Sequence, residues 1–365
     1  MDITKIDKNF SNAPVDKDGF LYRDAKLEPF KLEGLPWFNE NNQEYYRIPM
    51  TITEKDVNAG VIGLSRHTAG VALRFISDST QIMIRATLVD SCDMSHMPRA
   101  GSAGFDSFFK RPEDENFVYN KTVQPAAGQT EIEAICGSNP EGKMCEWIIN
   151  FPLYGGTAKV EIGLKEGSVI LPPKEHKIKK PILFYGSSIT QGGCASRPGN
   201  VYTSMLCRAL DAEQINLGFS GSARGEDIMA ESIAQLELSA FVYDYDHNAP
   251  NPEHLQNTHE KFFKIIRKAH PDLPVIMISK CDFAYIAPAD IENCQKRREI
   301  IRKTWQNAVD NGDKNVWFID GETLFEGDLH DCCTVDGCHP NDLGFFRMYS
   351  TVLPVLKEIL SRQEQ

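Results

Sequence analysis

From Pro181 onward the chain alternates short apolar runs with amphipathic stretches of helical period, and this pattern excludes most architectures. The runs are 182–185, 214–217, 240–245, 275–279 and 316–319. Each is too short for a helix and apolar on both faces, as strands of a parallel sheet are. The amphipathic stretches 202–210, 227–236, 257–269, 291–311 and 342–362 fit crossover and flanking helices. Right-handed crossovers then predict a three-layer α/β/α arrangement. Before residue 172 the period is different: Val71, Leu73 and Phe75 alternate, as do Ile82, Ile84, Ala86 and Leu88, which predicts a β-sandwich. At 365 residues the chain has room for two cores. The expected division is a sandwich over 1–172, a linker over 173–180 and an α/β domain over 181–365, the boundary being marked by Pro172, Pro173 and the basic run after them.

A net charge of −12 and a pI near 5.3 argue against a nucleic-acid partner, which requires a basic face. No apolar run approaches the roughly 20 residues that span a bilayer, so no membrane partner is expected. The opening residues Met1 to Asp7 lack a basic segment followed by an apolar stretch, so no signal peptide is expected in this chain. Ten unevenly spaced cysteines, two of them adjacent at Cys332 and Cys333, do not form a disulfide framework and fit a reducing cytoplasm. The one bridge to entertain joins Cys136 to Cys145 across a loop containing Gly and Pro.

Three separate segments carry reactive groups: 186–190, Asp246-His247-Asn248 and 336–339. Gly186-Ser187-Ser188-Ile189-Thr190 follows the run 182–185, so Ser188 is expected where a buried strand ends, facing the crevice in which α/β sheets bind ligands. Asp336-Gly337-Cys338-His339 spaces an acid and an imidazole so that the carboxylate can reach the ring. A serine hydroxyl needs such a base. Developing charge on an acyl carbonyl needs preorganised donors, for which the amides of Ser188 and Gly221 and the side chain of Asn248 are candidates. Bland readings compete: a helix-capping turn serine for Ser188, a plain turn glycine for Gly221, an Asx turn for Asn248. His247 is either a pocket residue or a solvated loop residue. His330, Cys332, Cys333, Cys338 and His339 raise a zinc site, but their spacing matches no standard ligand pattern, and no metal or other cofactor is expected.

With Asn216-Leu217-Gly218-Phe219-Ser220-Gly221 as a further block, the order of motifs resembles the SGNH hydrolases, the GDSL-type esterases and acylhydrolases. The resemblance implies an SGNH-type, flavodoxin-like hydrolase domain with Ser188 as nucleophile, Asp336 and His339 completing the catalytic set, and Ser188, Gly221 and Asn248 as the oxyanion hole. Two positions depart from the family: Ser187 stands where an acidic residue is usual, and Asp246 where a glycine is usual. The stretches 192–199 and 334–340 are similar to a bacterial branch with an N-terminal β-rich domain, expected to be jelly-roll-like. Its Gly-x-Asp-Leu-Tyr motif is relaxed here to Gly104-Phe105-Asp106-Ser107-Phe108. In that setting His96 and Arg99, on a front-domain loop, are candidate substrate contacts. The expectation is a serine esterase acting on short acyl, above all acetyl, esters of a small molecule or oligosaccharide. The alternatives are a lysophospholipase or thioesterase, or a silent carbohydrate-binding protein.

Overall fold

The computed structural model describes residues 15–282 and 288–363; the opening residues from which no signal peptide was read lie outside them. The chain divides into two compact units. Unit 1 is Met1–Tyr46, Arg66–His176 and Ser196–Gly199, and unit 2 is Arg47–Ser65, Lys177–Ala195 and Asn200–Gln365.

Unit 1 is a β-sandwich. Its strands are β1 (Phe20–Asp24), β2 (Lys31–Glu33), β3 (Ala72–Ser77), β4 (Gln81–Thr87), β5 (Phe105–Lys110), β6 (Val118–Val123), β7 (Glu131–Ser138), β8 (Cys145–Asn150), β9 (Lys159–Lys165) and β10 (Ile170–Leu171). One antiparallel sheet runs β1-β9-β4-β7, and the other runs β10-β3-β8-β5-β6 with β2 beside β3. Period-two alternation sends Ile82, Ile84 and Ala86 of β4 into the same core as Leu73 and Phe75 of β3 and Trp147 and Ile149 of β8. The relaxed motif does structural work within this unit. Asp106 is buried, and its Oδ2 accepts from Arg197 Nη1 at 2.7 Å and the Gly199 amide at 2.9 Å. Cys136 and Cys145 are free thiols, so the bridge entertained between them does not form.

Unit 2 is a parallel sheet wrapped by helices. Strands β11 (Ile178–Gly186), β12 (Ala212–Gly218), β13 (Ala240–Asp244), β14 (Val275–Ile278) and β15 (Val316–Ile319) lie in the order β12-β11-β13-β14-β15. β11 begins inside the stretch read as a linker, because Ile178 pairs with Ala212. Of the helices, α1 (Ala59–Leu64) belongs to this unit by chain segment and α2 (Arg99–Ser102) to the sandwich. The remaining helices of unit 2 are α3 (Ser188–Gln191), α4 (Tyr202–Leu210), α5 (Asp227–Ile233), α6 (Pro252–Ala269), α7 (Pro288–Asp310) and α8 (Asp342–Gln363). α4 packs on α8, while α6 packs on both α5 and α7. The strand order reverses at β11, and the turns leaving β11, β12 and β13 therefore gather at the switch point where such sheets bind ligands.

Candidate active site

The turn after β11 is shaped by what surrounds it. A Cβ on Gly186 would lie 1.7 Å from Asp244 Oδ1 and 2.2 Å from Thr190 Oγ1. Only glycine leaves room for Thr190 to donate to the buried Asp244 carboxylate, which also accepts from Tyr202 at 3.1 Å. Asn216 adds a second brace, donating to the Thr190 carbonyl at 2.6 Å and accepting from the Gly218 amide at 2.9 Å. Ser187 caps α3 by accepting from the Ile189 amide at 3.2 Å. The helix-capping role weighed for Ser188 thus falls to Ser187, and Ser188 opens the helix with its hydroxyl turned to another partner.

That partner is His339. Ser188 Oγ lies 3.0 Å from His339 Nε2, and His339 Nδ1 lies 2.7 Å from Asp336 Oδ2. With Nδ1–H donating to the carboxylate, Nε2 is left to accept the serine proton. Asp336 Oδ1 meanwhile accepts from the amides of Cys338 and His339, at 3.0 and 2.7 Å. This is a loop rather than a helix: Val335 N bonds His339 O at 3.0 Å, and Gly337 turns it with a φ of +80°. Partial burial pushes the Asp336 carboxyl up, but its hydrogen bonds to the His339 amide and ring and to the Cys338 amide outweigh this, holding it below the usual carboxylate range.

Ser188, His339, Gly221 and Asn248 share a cavity of about 440 Å³. Gly221 has a φ of +66° and nothing within 4 Å of where a Cβ would stand, so its backbone is open to an approaching group. Asn248 Nδ2 donates one hydrogen to Phe219 O at 2.8 Å, which fixes the amide and leaves the second hydrogen available. The turn carrying Gly221 is held from below by Arg47. This arginine is fully buried, donates from Nη1 to the carbonyls of Asn216 and Gly218 at 2.8 Å each, and stacks on Phe219.

The rest of the cavity lining is more polar than a simple acyl pocket requires, with Asp246, His247, Lys280, Asn293 and Arg297. Burial raises the Asp246 carboxyl to about 6 despite the Lys280 amide bond and the nearby Lys280 and Arg297 charges. Burial also keeps His247 well below the usual imidazole value, helped by Lys280, His339 and Arg297. His247 therefore lines the cavity as a neutral ring. His96 and Arg99 belong to unit 1, where His96 is exposed and Arg99 donates to Asp93 at 2.6 Å. Among the zinc-reading residues, His330 Nε2 lies 3.1 Å from Asp282 and His339 is engaged by Ser188 and Asp336. Among the described residues no group of three His, Cys, Asp or Glu side chains is placed to hold a metal ion.

The motif reading did not find Arg47, Asp244, Asn216 as a brace, or Lys280. Asp244 had a signal, since a carboxylate within an otherwise apolar strand run has to be paired for a reason. Arg47 had none, because the carbonyls it holds beneath the Gly221 turn lie 169 and 171 residues further along.

Residues 179–357 match the GDSL-like lipase/acylhydrolase family, and residues 20–170 match the GxDLY family, the N-terminus of SGNH-hydrolase-type esterases. The chain is a GDSL-type (SGNH) hydrolase. As such it is a carboxylic ester hydrolase of the two-domain branch. Among solved structures, this hydrolase is similar to a GDSL-like lipase from Bacteroides ovatus at 28% identity, covering 94% of this chain and 98% of that one, with a TM-score of 0.84. The salicylyl-acyltransferase SsfX3 of a tetracycline biosynthetic pathway shares the fold at 17% identity and a TM-score of 0.74, over 94% and 98% of the two chains. An acetyl xylan esterase from Butyrivibrio proteoclasticus shares it at 12% identity and 0.56, over 94% and 99%. The comparison with curated proteins found no match.

Proposed function

We propose that this hydrolase is a serine esterase that removes short acyl groups, acetyl above all, from carbohydrate esters through an acyl-enzyme. The observation that carries the reading is the continuous contact from Ser188 Oγ through His339 to Asp336 at the edge of the cavity. Ser188 attacks the ester carbonyl while His339 Nε2 takes its proton, then returns it to the departing alcohol oxygen. Water, deprotonated by the same nitrogen, cleaves the acyl-serine and restores the hydroxyl. The Ser188 and Gly221 amides and the Asn248 side chain receive the carbonyl oxygen as it gains charge. Asp336 holds the ring in the required tautomer and stabilises it when protonated.

The substrate side rests on two supports. Structures of the same two-domain fold include family two carbohydrate esterases from Clostridium thermocellum and Cellvibrio japonicus, besides the acetyl xylan esterase. The sequence around the motifs also contains no Leu- and Phe-rich amphipathic stretch of the kind that covers a long acyl chain in a lipase. Acetate release from a panel of acetylated oligosaccharides, with Ser188→Ala as the blank, tests the reading. Release from the sugars above the blank supports it; turnover of lysophospholipid or acyl thioester with none from any sugar overturns it.

A further inference from the structure

The lining of the cavity holds an acceptor that the proposed reaction leaves unused. Asp246 is 1% exposed; its Oδ2 accepts from the Lys280 amide at 2.9 Å, and its main-chain carbonyl accepts from Arg297. Its Oδ1 is buried, and none of the described residues donates to it. His247 Nε2 lies 4.0 Å from it, beyond hydrogen-bond range. A buried carboxylate oxygen in that state is costly, and its cost is recovered when a ligand supplies the missing donor. The charges nearby select the donor. Lys280 and Arg297 act on the same carboxylate, so a cationic ligand is opposed; the carboxylate itself opposes an anion. A neutral O–H meets neither objection.

We propose that Asp246 Oδ1 accepts a hydroxyl of the substrate carried near the scissile ester, making Asp246 a specificity-determining residue for hydroxylated esters. The inference rests on the proposed reading of the cavity as a serine esterase site. It explains why a carboxylate occupies a position where the family usually has glycine, two residues before Asn248. It also fits a partly acylated sugar, in which a free hydroxyl neighbours the ester. A hydroxylated acyl group would present the same donor from the other side of the ester bond.

Two pairs of substrates separate these sources. One is a monoacetylated methyl glycoside against its analogue deoxygenated at the neighbouring hydroxyl. The other is an alkyl glycolate ester against the corresponding acetate. The wild-type enzyme is expected to prefer the hydroxylated member of at least one pair by about 10–100-fold in kcat/KM, as sites with a buried acceptor do. The pair that responds tells which side of the ester carries the hydroxyl. Asp246→Asn should collapse that preference to less than about threefold, because the amide oxygen must face the Lys280 N–H and its NH₂ then occupies the Oδ1 position, where it cannot accept. Asp246→Ser, which empties the position, is expected to do the same and serves if the first variant does not fold. No preference in the wild type, or a preference that survives in a folded variant, overturns the proposal. Ser188→Ala tells the two readings apart: turnover retained there defeats the esterase reading itself, whereas turnover lost there with no hydroxyl preference defeats only the assignment of Asp246.

Discussion

Asn248 and Asp336 are the residues whose roles can be separated by kinetics. Asn248 has one amide hydrogen committed to Phe219 O, and in the proposed mechanism the other meets charge that exists only during reaction. Asn248→Ala is therefore expected to lower kcat by about 10²–10³ with KM nearly unchanged; a pure KM effect would mark the residue as a ground-state binder. Asp336 accepts from the ring and from two amides, so it both orients His339 and builds the loop that carries it. Asp336→Asn should lower kcat by up to about 10⁴, since the amide that replaces the carboxylate neither fixes the tautomer nor stabilises imidazolium. Steady-state assay of the variant checks this, and an effect below tenfold would mean that His339 is oriented by something else. At this scale the sequence was most legible where residues act on close neighbours. The three-residue spacing of Asp336 and His339 sufficed to place the carboxylate against the ring, whereas Arg47, acting 169 residues away, left no local trace.

The catalytic turn depends on the end of β11 being bare. Gly186→Ala would drive a methyl into Asp244 and Thr190, neither of which can withdraw without breaking their mutual hydrogen bond. The expected outcome is loss of most esterase activity together with destabilisation of about 2–4 kcal/mol, in the range for overpacking plus a broken buried network, measured by denaturant unfolding. Wild-type stability in that variant would show that the brace is dispensable. Most strands of unit 2 were legible because buried parallel strands are continuously apolar; 316–319 coincides with β15. Boundaries shifted where capping chemistry overrode the apolar pattern. α6 starts at Pro252 rather than at 257 because Asn251 caps it, accepting from the His254 amide at 2.8 Å, and proline suits the first helical position. The one-turn α3 is too short to show any period at all.

Within the catalytic unit, burial favours the protonated form of two carboxyl groups at and just after the end of β13, Asp244 and Asp246. Burial raises Asp244 to about 7, with the Asp246 charge adding to the effect and the Thr190 and Tyr202 hydroxyls opposing it. An unfolded aspartate titrates near 3.9, so between about 4 and 7 the folded chain binds the extra proton. Stability then falls as pH rises through that window and levels off above it. Asp244→Asn should flatten this slope, and each kcal/mol removed would be worth roughly 2–4 °C in Tm for a domain of this size. Thermal melts of both proteins from pH 5 to 8 decide it: parallel curves would mean that Asp244 does not titrate in this range. The change from period two to alternating strand and helix made both architectures readable. The chain's double crossing, which assigns Arg47–Ser65 to the catalytic unit and Ser196–Gly199 to the sandwich, was not readable, since it rests on contacts between segments far apart in sequence.

Every step of the proposed reaction depends on Ser188 Oγ as the acyl-bearing atom. Reaction with diethyl p-nitrophenyl phosphate, which transfers a diethylphosphoryl group to an activated serine with loss of p-nitrophenolate, followed by peptide mass spectrometry, asks this directly. One label per chain on the peptide containing Ser188, located on that residue and absent from Ser188→Ala, is the predicted result. A label on another residue, or loss of esterase activity without modification of Ser188, would contradict it.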